Sequence, residues 1–156
     1  MPQPIQINRS VKKSTTKKLS EVVKKEKKHP KYGTSKLEDY FAENFLDIIG
    51  VDYIRQFEAK EIGRFYDFKL KNGPILEING SYWHGDKRIY EEKDLNNVQK
   101  KNIYVDELKR RWAENKGIEI YYFWEKDIYE NPESVKRTLN DIIKKYNKKM
   151  QKNKRH

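Results

Sequence analysis

The chain contains no cysteine. That removes disulfides, cysteine-ligated zinc and thiol catalysis together, and it predicts an intracellular home, cytoplasmic or nucleoid-associated. Glycine and proline are sparse, seven and five in 156 residues, so the few present act as punctuation. No apolar run approaches the ~18 residues of a membrane span, and the N-terminus lacks the apolar stretch of a signal peptide. A soluble protein with no membrane partner is expected. No internal repeat is apparent.

What is abundant is charge. Charged residues make up 38% of the chain, the mean hydropathy is −1.13 and the net charge is +11. Spread evenly, such a composition would suggest disorder. Instead, residues 1–33 carry ten Lys or Arg against two acids, a net +8, and residues 144–156 carry seven against none, a net +7; the middle segment, 34–143, is left at −4. The reading is one domain at 34–143 between a basic flexible N-terminal tail, 1–33, and a basic C-terminal tail, 144–156. Basic tails attract polyanions by counterion release, which makes nucleic acid the first partner to consider, with Lys12, Lys13, Lys17 and Lys18 as candidate phosphate contacts.

Periodicity then gives the order of elements. Leu37, Tyr40, Phe41, Phe45, Ile48 and Ile49 recur at helical spacing between a cap at Ser35 and a stop at Gly50. VDYIRQFE and RFYDFKL read as strands separated by a connection at Gly63, and KNG turns the chain into PILEIN, so residues 64–79 form a hairpin. After a loop from Gly80 to about Asp94, Val98, Val105, Leu108 and Trp112 mark a second helix that Gly117 ends. IEIYYFW reads as a central, well-buried strand. Asn131 and Pro132 open a last helix on Val135, Leu139, Ile142 and Ile143. The fold class is α/β, a mixed sheet flanked by helices in the order αβββαβ, with basic tails.

The hairpin carries the chemistry. A three-residue turn sets Leu70 opposite Pro74, and counting outward sets Asp67 opposite Glu77; a one-residue bulge would spoil this pairing. Two carboxylates ~5 Å apart repel by roughly 3 kcal/mol at an effective dielectric of ~20. A divalent cation would offset that, since Mg²⁺ favours one or two carboxylates and leaves sites for water and phosphate oxygens. The alternative is that both acids lie on a solvated face, but Phe65, Tyr66, Phe68, Leu76 and Ile78 surround them in the sequence. His84 is the single histidine between His29 and the terminal His156. A lone histidine is ordinarily structural, yet a few residues past Glu77 it is placed to deprotonate a water.

Four segments, SKLEDYF, RFYDF, ILEINGSYWH and NIYVDELKRRWAENKGIEIYYFWEKDI, together resemble the very-short-patch-repair (Vsr) and EDxHD homing branch of the PD-(D/E)XK nucleases over residues 35–129. The resemblance implies a restriction-endonuclease-like core and a metal-dependent DNA endonuclease acting on double-stranded DNA. It implies Asp67 as principal metal ligand, Glu77 at the acidic motif position, and the carbonyl of Ile78 as a further ligand. Asn79 stands where the motif has lysine, and His84 takes over as general base or water-orienting group. Glu38 and Asp106 match the family's outlying acids. Glu38 is also the last residue of a capping box with Ser35, and Asp106 is either a solvated helix residue or a holder of His84 or of a metal-bound water. Trp83 is a stacking platform or wedge for a base, or a core residue. Lys87 and Arg88, in the same loop, are candidate phosphate contacts.

The repair enzymes of that branch carry a cysteine-containing structural zinc site, which this chain lacks, so no zinc is expected and a homing-type or phage-type endonuclease fits better than a mismatch-repair enzyme. Mg²⁺ is the expected cofactor, with Mn²⁺ as a substitute. Two rivals stand beside this reading: an inactive nucleic-acid-binding module, and a structural RNA-binding protein. A homodimer is compatible with any of them, and nothing in the residues fixes it.

Overall fold

The computed structural model describes residue 5 and residues 35–154. The first helix, α1 (Lys36–Phe41), opens on a capping box: Glu38 N–H donates to Ser35 Oγ at 3.1 Å, and Ser35 N–H donates to Glu38 Oε2 at 2.6 Å. Helical structure continues through a π-helical stretch, Ala42–Leu46, and a last turn, Asp47–Ile49, to Gly50 at φ 77°. Three strands follow, β1 (Tyr53–Ala59), β2 (Arg64–Leu70) and β3 (Ile75–Asn79). Next come α2 (Asn97–Asn115), begun by a second capping box between Asn96 and Gln99, and β4 (Ile120–Trp124). Two further helices, α3 (Glu125–Glu130) and α4 (Pro132–Lys154), complete the order. α3 is not anticipated by the periodicity.

The four strands form one mixed sheet in the order β1-β2-β3-β4. The first three are antiparallel neighbours; β4 lies parallel to β3, reached by the crossover through α2. The hairpin turns as expected, with Leu70 N–H donating to the Pro74 carbonyl at 3.0 Å. One expectation fails: β4 is an edge strand, and of its five residues only Phe123 is buried. Its dense run of β-branched and aromatic residues carries no information about which neighbours a strand acquires.

Helices cover both faces. On one, α1, the π-helical stretch after it and α4 pack Phe41, Phe45, Leu139 and Ile142 against Phe68, Leu70, Leu76, Ile78 and Phe123. On the other, α2 sets Ala113 and Trp112 against Tyr66, Ile75, Ala59 and Phe57. The basic ends depart from the tails expected of them. α4 continues through Lys154, so residues 144–154 are helical, and Ile5, within the N-terminal segment, is 3% exposed and sits in the α1/α4 core. The candidate phosphate contacts Lys12, Lys13, Lys17 and Lys18 lie outside the described residues. Among the described residues, no helix is long and apolar enough to cross a membrane.

Candidate active site

The site is built where the sheet changes phase. Residues two apart on a regular strand share a face. In β1, however, Tyr53 packs on the α1/α4 side and Phe57 on the α2 side; in β2, Phe68 and Leu70 face α1/α4 while Tyr66 faces α2. Both reversals fall in one row. Ladder pairs Arg55–Phe68 and Phe57–Tyr66 bracket Gln56 and Asp67, which lie opposite each other without pairing, and Gln56 has a left-handed backbone at φ 52°.

The ladder from β2 to β3 also stops at this row, after Phe68–Leu76. Beyond it the side chains take over the backbone's bonds. Asp67 N–H donates to Glu77 Oε1 at 2.8 Å, and Ile78 N–H donates to Asp67 Oδ2 at 2.7 Å. Asp67 therefore does stand across from Glu77, as the turn count predicts. Glu77 is 3% exposed and Asp67 is half-buried, so Glu77 does not lie on a solvated face.

Each layer adds a carboxylate or a cation to the pair. From α1, Glu38 brings its carboxyl close enough for its charge to raise that of Asp67, while its Oε1 accepts from Gln56 Nε2 at 3.0 Å. The capping and site roles of Glu38 thus coexist: one oxygen closes the helix start and the other meets Gln56. From α2, Lys109 Nζ lies 2.6 Å from Glu77 Oε2 and 4.7 Å from the centre of the Tyr66 ring. Burial first, then the charges of Glu77 and Glu38, push the Asp67 carboxyl well above its ordinary value. Burial also raises Glu77, against the pull of Lys109. Crowded carboxyls are relieved by a proton or by a cation between them.

His84 reaches the same region through a partner. Its Nδ1 lies 2.7 Å from Asp106 Oδ2, and Asp106 is close enough for its charge to raise both Glu77 and Tyr122, the latter, which burial raises most, to about 12. Asp106 is therefore a holder of His84 and not a solvated helix residue. Spacing explains the grouping: Asp106 and Lys109, three residues apart on α2, share one face of the helix. That spacing, within the D-x-x-K-x-x-W run of α2 that carries part of the resemblance, is the signal for Lys109, although the motif has its lysine on β3 and Lys109 is not among the expected site residues.

The remaining candidates divide. Asn79 is buried at the end of β3 beside Trp124, and no hydrogen bond among the described residues joins it to the carboxylates. Ile78 enters the site through its amide. Trp83 is 58% exposed, with its ring edge-on to Tyr82, so it presents a free aromatic surface and is not a core residue. Lys87 is exposed. Arg88 is otherwise occupied: Nε and Nη2 bind Asp86, and Nη1 binds both oxygens of Asp127. It ties the His84 loop to α3, and the expectation of a free phosphate contact is corrected accordingly.

The donor set suits a hard divalent cation, being carboxylate oxygen throughout. Among the described residues, no three His, Asp or Glu groups gather round one point, and a Mg²⁺ site takes one or two carboxylates. Lys109 already pairs with Glu77, so Asp67 and Glu38 are the pair best placed to hold an ion. Compared with known proteins, the chain matches no family model, no curated protein and no solved structure.

Proposed function

We propose that the protein is a divalent-metal-dependent endonuclease that hydrolyses phosphodiester bonds in double-stranded DNA, built on a restriction-endonuclease-like core. One observation carries the reading: the Asp67 carboxyl, half-buried at a break in the sheet, stands across from the buried Glu77 and close to Glu38. Such an arrangement is costly to maintain without a function that uses it, and strained, desolvated carboxylate clusters are characteristic of catalytic sites.

In this reading Asp67 and Glu38 hold Mg²⁺ or Mn²⁺, with Glu77 in reserve. The bound ion supplies charge neutralisation at the phosphoryl oxygens. The chain's own residues do the rest. Asp106 accepts from His84 Nδ1, leaving Nε2 free to take a proton from water. Lys109 opposes the burial that disfavours the charge of Glu77. Trp83 offers an aromatic face for a base, and the exposed lysines of α4 offer phosphate contacts. Activity in the presence of Mg²⁺ or Mn²⁺ on supercoiled plasmid, abolished by EDTA and lost in Asp67→Ala and His84→Ala, is the expected result. Full activity in both variants would place the chemistry elsewhere.

A second reading has its own support. Lys109 already neutralises Glu77 without any metal, which suits a nucleic-acid-binding module that performs no hydrolysis. DNA binding insensitive to Mg²⁺, with no cleavage by the wild type, would favour it.

A further inference from the structure

Gln56 has no place in the family pattern that the sequence resembles, yet it has the least comfortable backbone in the sheet. Its φ of 52° lies in the region where L-residues are strained, and no glycine, asparagine or aspartate eases it. Among the described residues only one other non-glycine, Asn72 in the hairpin turn, shares a positive φ, and asparagine tolerates that conformation. Strain in mid-strand calls for a reason.

Three facts converge on one. Gln56 faces Asp67 across β1 and β2, at the row where both strands exchange faces. Its side-chain amide donates to Glu38 Oε1 at 3.0 Å. Glu38, in turn, is close enough to Asp67 for its charge to raise that carboxyl. A regular β1 would continue its alternation past this point, and its residues would stay on the faces they began on.

We propose that Gln56 is a positioning residue of the site, whose left-handed backbone carries its amide to Glu38 and holds that carboxyl against Asp67. The assignment rests on the nuclease reading. The amide donates and cannot itself compete as an anion, so it fixes the second oxygen of Glu38 after the Ser35 amide has fixed the first. With both oxygens anchored, Glu38 is set in place before an ion arrives.

The test exploits the strain. Gln56→Gly and Gln56→Ala both delete the amide, but only glycine relaxes the backbone. Both variants are expected to lose about tenfold in kcat on plasmid with KM unchanged, and about tenfold in Mn²⁺ affinity by calorimetry, while the glycine variant melts above the alanine one. If activity followed stability, with the alanine variant impaired and the glycine variant like wild type, Gln56 would be a structural residue only. Wild-type kcat and Mn²⁺ affinity in both variants would also overturn the assignment. Failure of the nuclease reading shows itself separately, as a wild type that neither cleaves nor binds Mn²⁺, and it would take the Gln56 assignment with it.

Discussion

His84 Nδ1 and Asp106 Oδ2 lie 2.7 Å apart, a single hydrogen bond that ties the loop after β3 to the middle of α2. A carboxylate at that nitrogen keeps the proton there and leaves Nε2 as the basic nitrogen. In Asp106→Asn the amide can offer a donor instead and favour the other tautomer. Single-turnover cleavage is expected to slow by about 10–100-fold with the melting temperature little changed, since both side chains are partly exposed. A variant as fast as wild type would remove Asp106 from the mechanism.

The Lys109–Glu77 pair makes a second prediction. Its side chains are 12% and 4% exposed, so the two charges are shielded from water almost completely. Lys109→Met leaves Glu77 a buried acid without its partner, at a cost of about 3–5 kcal/mol. Adding Glu77→Gln should recover more than half of that. Urea denaturation of the two single variants and the double variant measures the coupling directly, and purely additive losses would show that the pair contributes little.

Much of this architecture can be read from the residues, and where it cannot, the reason is physical. Ser35, Gly50 and Gly117 mark helix ends because caps and left-handed stops are local chemistry, and the KNG turn fixes which residues of β2 and β3 meet. Sheet order is not local, so nothing within IEIYYFW reveals that β4 would lie at an edge. Ile5 and Ile7 stand in an otherwise polar stretch, too little for a periodic signal, yet Ile5 fills space beside Gly73. The lysine-rich end of α4 reads as tail by charge, although lysine is a good helix former. Gln56 is the instructive case. Tyr53 and Phe57 have the same parity and would be placed on one face by any alternation rule, and only the folded backbone shows the reversal between them.

Acid should loosen the His84 loop. Hydrogen bonds from Arg88 hold the Asp86 carboxyl below its ordinary value, against the opposing effect of burial. A carboxyl whose folded pKa is depressed contributes its full stability above the unfolded pKa, about 4, and loses it as pH falls through the folded value. The difference in melting temperature between wild type and Asp86→Asn is therefore expected to be constant above about pH 5 and to shrink below pH 4. A gap that stays level down to pH 3 would mean that Asp86 is not the titrating anchor.

The lysines of α4 make the last prediction. At 100° per residue, Lys144, Lys145, Lys148, Lys149 and Lys152 fall within an arc of roughly 140°, away from the buried stripe of Val135, Leu139, Ile142 and Ile143. Lys145 is paired with Glu119; the other four are exposed. Changing these four to glutamine should make the plot of log affinity against log salt for duplex DNA shallower by about 0.9 for each lysine that meets a phosphate. An unchanged slope would exclude this helix face from the DNA contact.

Asp67 and Glu77 also serve the sheet itself. The strands β2 and β3 stop pairing backbone to backbone at their level, and the carboxylates accept the amides of Asp67 and Ile78 in place of carbonyl groups. These two amide protons are thus wired to the same oxygens that a cation would compete for. Their solvent-exchange rates and proton chemical shifts form a pair of native gauges, sensitive to occupancy and legible without any substrate or attached label. Whatever binds at this row will be felt as tension in the seam between two strands.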